Sequence, residues 1–165
     1  MTILAAAYQH VDALSALFEE VQAEKAMSFD ATKESSYVAS DRRAARSGRA
    51  PTGRWAILDV ADGVVGYLTG SFKQQLPGTN VVGAFISQIV VSSGMRRSGR
   101  GRDAILEFAR LARDEVGATT VGLRLDETGD VNERRIRFER IGFEFTGLVG
   151  TARIDDLLSE AGELR

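Results

Sequence analysis

Apolar residues Val11, Leu14, Leu17, Phe18 and Val21 recur at three- and four-residue spacing, with Glu19, Glu20, Gln22 and Glu24 between them. That period predicts an amphipathic helix, and the short apolar stretch Ile3 to Ala7 before it predicts a strand. Residues 31–49 are polar and rich in arginine but carry Tyr37, Val38, Ala44 and Ala45. They predict a second, more exposed helix ending near Gly48, before a loop marked by Pro51 and Gly53. Trp55 to Val60 and Val64 to Phe72 are two β-rich runs joined by Ala61-Asp62-Gly63, the form of a hairpin. Gly66 and Gly70 inside the second run mark bulges or weak pairing.

After the turn Leu76 to Asn80, the long apolar run Val81 to Val91 predicts a central strand. Ile105, Leu106, Phe108, Ala109, Ala112 and Val116 then fall on a helical period, and Gly117 stands just past its end, where a left-handed cap is cheapest. Thr119 to Leu125 predicts a strand, Asn132 to Arg140 a short charged helix and Phe143 to Ile154 one or two closing strands. Asp155 to Arg165 reads as a weak helix or a frayed tail. A helical N-terminal third, a hairpin leading into a third strand, then strand-helix-strand-helix-strand gives an α+β, mixed-sheet domain. No repeat, low-complexity tract or linker divides residues 1–165, so a single domain is expected.

Composition narrows the chemistry. With 165 residues, 44% of them hydrophobic, the chain can bury a core with a pocket inside it. It has no cysteine and one histidine, His10, which excludes a thiol nucleophile, a thiolate metal site and a disulfide framework. Any serine triad would have to run through His10, and any zinc site would need mostly carboxylates. No metal is expected. Met1 to Ala7 has no basic lead or signal-length apolar run, and no window approaches ~18 uninterrupted apolar residues. A cytoplasmic chain without a membrane partner is the expectation; a homodimer stays open. The net charge of −2 does not favour nucleic acid.

The positive charge is unevenly placed. Eighteen of the 21 basic residues are arginine, and four of them are Arg96, Arg97, Arg100 and Arg102. They lie in Ser92 to Arg102, between the strand ending at Val91 and the helix beginning near Gly101. A glycine-bearing loop in that setting aims backbone N–H groups and the positive end of a helix dipole at one spot. Glycine at 99 and 101 lets backbone approach a ligand, Ser98 offers a donor, and guanidiniums suit phosphate oxygens. The competing reading is a solvated basic turn, but crowding like charges costs energy unless an anion is expected.

Three anions compete for this loop. Gly99-x-Gly101-x-x-Ala104, with Asp126 after the next strand, fits a dinucleotide fingerprint. Against it, seven residues separate Val91 from Gly99, and about forty after Asp126 are too few to finish a doubly wound sheet. Nucleic acid is disfavoured by net acidity and by the lack of aromatics among the arginines. The third is carried by a resemblance. Val91 to Gly101 resembles the acetyl-coenzyme A motif of the GNAT-type N-acetyltransferases, Gln/Arg-x-x-Gly-x-Gly/Ala, met by Arg96, Gly99 and Gly101. Val91 stands five residues before that arginine, bulky Met95 directly before it, and Ala104-Ile105-Leu106 in the helix after it. Asn132 to Phe143 resembles the family's second signature, Asn-x-x-Ala-x-x-Leu/Phe-Tyr-x-x-x-Gly-Phe, at both ends and is one residue short in the middle.

The resemblance implies an acyl-CoA N-acyltransferase fold: a central mixed, mostly antiparallel sheet with helices on both faces. It implies acetyl-CoA as cosubstrate and transfer to a primary amine of a small molecule or protein by direct attack, which suits a chain without cysteine. Ile89, Val90 and Val91 would pair with the pantetheine, and the Val91 N–H would polarise the thioester carbonyl. Arg96, Arg97, Ser98, Gly99, Arg100, Gly101 and Arg102 would hold the pyrophosphate, and Asn132 would hydrogen-bond near the pantetheine. The family's proton-donating tyrosine stands four residues before its Gly-Phe pair, where this chain has Phe138. Phenylalanine donates no proton, and core packing is its plainer role. For the base, the central strand offers Gln88 and Ser87 but no carboxylate. Asp126, Glu127, Glu20 and Glu24 are the carboxylates that remain, each equally at home in a solvated turn or helix face. Trp55, Phe72 and Phe85 are core residues or walls of an acceptor pocket. A second function fits the same motifs, an acyl-CoA-binding or sensor module without turnover.

Overall fold

In a computed structural model, the structure describes residues 2–5, 10–25, 54–59, 63–76, 78–127 and 130–163. The helix expected over residues 31–49 and the Ala61-Asp62 turn lie outside them, as do the side chains of Trp55 and Glu24. In chain order the elements are β1 (Thr2–Ala5), α1 (Val11–Lys25), β2 (Arg54–Asp59), β3 (Gly63–Gln75), β4 (Val82–Val91) and α2 (Arg100–Val116). β5 (Thr120–Arg124), α3 (Val131–Glu139), β6 (Glu144–Thr146), β7 (Val149–Arg153) and α4 (Ile154–Glu163) complete them. A 3₁₀ turn, Ser93–Met95, follows β4.

The strands form one sheet in the order β1-β2-β3-β4-β5-β7-β6. Every neighbouring pair is antiparallel except β4 and β5, which run parallel because the intervening chain crosses over through α2. This is a mixed sheet, as the pattern predicts, and a mostly antiparallel one, as the resemblance implies. On one face, Ala104, Ile105, Phe108, Ala109 and Ala112 of α2 pack with Ile86, Val121 and Leu123 of the sheet and with Ile154 and Leu157 of α4. α1 lies against β3, its Leu14 and Leu17 buried. Ile154 and Leu157 are 0% and 2% exposed, so α4 is docked rather than frayed. Phe72 stacks at a tilt on Phe108, centroids 5.2 Å apart, and is core rather than pocket wall.

Two irregularities position the site. In the β3–β4 ladder Thr69 faces Gln88 but Gly70 faces Ile86, leaving Ser87 unmatched as a bulge in β4. The parallel β4–β5 ladder covers only Ala84↔Val121 to Ile86↔Leu123 and stops at that bulge. An extra residue bends its strand and raises its local twist, so β4 leaves β5 there while staying paired to β3 as far as Val91. Beyond Arg124 the chain turns the other way, the Leu125 N–H bonding Leu148 O at 2.9 Å. A wedge opens between two strands of one sheet.

α3 closes the far wall of the wedge. Its start is fixed by Asp130, whose side chain accepts from the Glu133 N–H at 2.8 Å. None of its residues is fully buried, so the cap carries an unusual share of its stability. Asp130→Ala is expected to cost about 1 kcal/mol, read as a lowered midpoint in thermal denaturation with the sheet intact.

Candidate active site: the cleft between β4 and β5

The open edge of β4 presents its own backbone. The Ser92 N–H bonds Val65 O at 3.0 Å, so Ser92 turns its polar groups toward β3. Strand alternation turns those of Val91 and Ile89 the other way, into the wedge. Val91 O is met there by Arg96 Nε at 3.3 Å. The Ile89 and Val91 side chains face the start of α2: a Cβ on Gly101 would stand 3.9 Å from Ile89 Cδ1 and 3.7 Å from Val91 Cγ2. The helix N-terminus therefore sits directly over the open strand edge.

The loop between them is shaped by two left-handed residues, Arg97 at φ 66° and Gly99 at φ 84°. Gly99 holds the N-cap position of α2 with no side chain to cap it. The first helical bond runs from the Asp103 N–H to Gly99 O, so the N–H groups of Gly101 and Arg102 have no intrahelical acceptor. The Ser98 hydroxyl bonds Met95 O at 2.5 Å, holding the loop's inner turn.

The cleft has a volume of about 690 Å³ and an apolar floor that includes Ile86, Ile89, Val91, Ile105, Leu123 and Leu125. Its rim carries eight arginines, Arg96, Arg97, Arg100, Arg102, Arg124, Arg134, Arg137 and Arg140, against two carboxylates, Asp126 and Glu133. Such an imbalance in a low-dielectric cleft focuses a field that attracts anions. Arg102 adds a sharper sign: its Nε is buried without a hydrogen-bond partner among the described residues. A buried donor left unpaired is costly unless a ligand acceptor answers it. Donors and charge thus suit a phosphate group, and the apolar floor suits a thin, mainly apolar chain.

Of the residues singled out from sequence, Gln88, Ile89, Val90, Val91, Arg96, Arg97, Gly99, Arg100, Gly101, Arg102, Asp126 and Phe138 line this one cleft. Ser98 supports the loop from behind. Asn132 is exposed and stands outside the cleft wall. Helical geometry explains the split: six residues separate Asn132 from Phe138, placing them about 120° apart, whereas seven would return them to one face within about 20°. Phe138 keeps the cleft side, edge-on to Phe143 with centroids 5.8 Å apart and tilted on Phe145 at 6.4 Å.

Two of the candidate carboxylates, Asp126 and Glu20, are engaged. Asp126 accepts from Arg134 Nη1, and Arg134 Nη2 also holds Asp126 O at 2.9 Å. Glu20 accepts from the Ser93 N–H at 2.5 Å. Bonds from the Ser93 hydroxyl and N–H hold the Glu20 carboxyl below the usual carboxylate range, with Arg96 adding a smaller pull. That makes it a weaker proton acceptor. Sequence reasoning did not find the Glu20–Ser93 contact, the Ser87 bulge or the second arginine wall. Arg134, Arg137 and Arg140 did leave a signal: spacing of three on a helix puts them on one face. Among the described residues no group of His, Asp and Glu could hold a metal ion, and no helix is long and apolar enough to cross a membrane.

Residues 14–143 match the family model of the acetyltransferase (GNAT) family. No curated protein sequence matches the chain significantly. Solved structures share the fold at low identity. Apo FdhC, a nucleotide-linked sugar GNAT, superposes with a TM-score of 0.77 at 7% identity, covering 98% of this chain and 91% of its own. The ribosomal-protein-alanine N-acetyltransferase of Brucella melitensis gives 0.66 at 16%, covering 93% and 99%. Chaetomium thermophilum Naa20, in complex with a bisubstrate analogue, gives 0.64 at 15%, covering 96% and 90%. With a family match over most of its length, and a strand edge opened beside a glycine-arginine loop, the chain belongs to the GNAT acetyltransferase family.

Proposed function

We propose that this protein transfers the acetyl group of acetyl-CoA to a primary amine, and that the β4–β5 cleft holds the cosubstrate. The observation that carries the reading is the juxtaposition of a β4 edge left unpaired after Ser87 with an arginine loop at the N-terminus of α2. The pyrophosphate lies on the N–H groups and guanidiniums of residues 96–102, where the unanswered Arg102 Nε supports the fit. The pantetheine runs along Ile89, Val90 and Val91 and takes the backbone groups of Ile89 and Val91 that face the wedge.

The amine nitrogen attacks the acetyl carbon, the carbon–sulfur bond breaks, and the coenzyme A thiolate leaves and is protonated. The Val91 N–H donates to the thioester oxygen as charge develops there, the kind of contact that lowers such barriers most. Gln88, half-buried in the same wall, orients the amine or a water by hydrogen bonding. Asp126, after β5, receives the amine proton through solvent; Arg134 fixes its position. Phe138 fills the place of the family's tyrosine and leaves protonation of the thiolate to water.

Phe138 and the engaged carboxylates also favour a second reading, a module that binds acyl-CoA without turning it over. Calorimetric binding of acetyl-CoA, run beside thiol release over a panel of amino acids, polyamines, aminoglycosides and peptides, separates the two. Micromolar binding with amine-dependent thiol release is expected. Binding without release on any amine supports the sensor, and no binding contradicts both.

A further inference from the structure

We infer that Glu20 is a positioning residue for the cosubstrate: carried by α1, its carboxylate pins the Ser93–Arg96 turn and so keeps the open end of β4 and the arginine loop in register for one ligand. The inference rests on the acetyl-CoA reading above. Glu20 Oε1 accepts from the Ser93 N–H at 2.5 Å across 73 positions of sequence, and Ser93 holds that carboxyl below the usual carboxylate range. Ser93 opens the turn, and the turn's own bonds carry the constraint forward. The Met95 N–H reaches Ser92 O at 3.0 Å and the Arg96 N–H reaches Ser93 O at 3.3 Å. Arg96 then returns to the strand through Nε to Val91 O.

The segment itself is mostly solvent-facing. Ser93, Gly94, Arg96, Arg97, Ser98 and Gly99 are exposed, and only Met95 packs against the core. A segment with few buried contacts samples many conformations, and a ligand that needs one of them must repay that ordering. Glu20 supplies the order in advance. Its negative charge beside a phosphate site works against anion binding, so its value there lies in the hydrogen bonds, which glutamine can partly reproduce.

The test compares Glu20→Ala, Glu20→Gln, Ser93→Ala and the Glu20→Ala/Ser93→Ala pair for acetyl-CoA affinity by calorimetry and for KM and kcat. Glu20 is on the surface, so all four variants are expected to fold, checked by circular dichroism. Glu20→Ala is expected to weaken affinity about fivefold, the scale of an exposed charge-assisted hydrogen bond. KM for acetyl-CoA should rise in step and kcat stay within about twofold, while Glu20→Gln recovers most of the loss. The pair should bind no more weakly than Glu20→Ala alone, since both changes break one contact. Wild-type affinity in Glu20→Ala, or a loss in Glu20→Gln equal to that in Glu20→Ala, overturns the inference and leaves the acetyl-CoA reading standing. Failure of the wild type to bind acetyl-CoA overturns both.

Discussion

Gly99→Asp is expected to abolish the thermal shift that acetyl-CoA gives the wild-type protein, while leaving the fold in place. Gly99 is the N-cap of α2 at φ 84°, with nothing within 4 Å of a Cβ built there. Aspartate tolerates that backbone region better than most residues, and a carboxylate at a helix N-terminus is favourable. The variant thus caps its own helix with an anion. The N–H groups and positive field that the proposed pyrophosphate would use are taken, and a second anion meets repulsion. Arg96→Ala with Arg97→Ala attacks the same site from the other side. With charge-assisted contacts worth roughly 1.5–3 kcal/mol each, the pair should lose roughly 3 kcal/mol of binding or more. Differential scanning fluorimetry with and without acetyl-CoA reads both variants, and an undiminished shift in either counts against the site.

Phe108→Ala is expected to destabilise the whole domain by about 3–5 kcal/mol, a large share of the ~5–15 kcal/mol that holds an ordinary domain together. Phe108 is fully buried, stacked on Phe72 and set among the residues joining α2 to the sheet. Its ring lies over Gly70, where a Cβ would stand 2.4 Å from Phe108 Cζ, so truncation leaves a void above a residue with no side chain. The site depends on this packing. α2 aims its N-terminus at the β4 edge only while Ile105, Phe108, Ala109 and Ala112 seat it on the sheet. Chemical denaturation should show a lower midpoint. A loss under about 1 kcal/mol would mean that α2 is held by something other than this core.

Much of this arrangement is legible along the chain. The apolar period of α1 and α2, the Gly117 cap at φ 66° and the succession of strands and helices along the chain follow from local spacing and turn chemistry. The convergence of the glycine-arginine loop on one cleft is legible too, because that loop lies between an apolar strand and an amphipathic helix. What the spacing does not carry is what depends on register between strands. Val81 to Val91 reads as one long, mainly apolar strand, yet the unmatched Ser87 splits it into a part paired on both sides and a part paired only to β3. No local residue announces that split; it arises from how β3 and β4 align. The Glu20–Ser93 bond is hidden for the same reason, since it joins residues 73 positions apart. Between these cases stands α3. The one-residue shortening before Gly142-Phe143 is visible in the sequence, and simple helix geometry shows that Asn132 and Phe138 cannot share a face. The structure keeps Phe138 in the cleft and leaves Asn132 outside it.

The central claim is that one cleft, opened by a bulge and lined by a glycine-arginine loop, receives an acyl-coenzyme A. A crystal structure of the protein with coenzyme A tests it most directly. The expected result is a pantetheine hydrogen-bonded to the backbone of Ile89 and Val91, with its pyrophosphate on residues 96–102 and Arg96 moved from Val91 O to phosphate. Coenzyme A bound elsewhere on the surface, with the β5-facing edge of β4 still unpaired beyond Ile86, would contradict it.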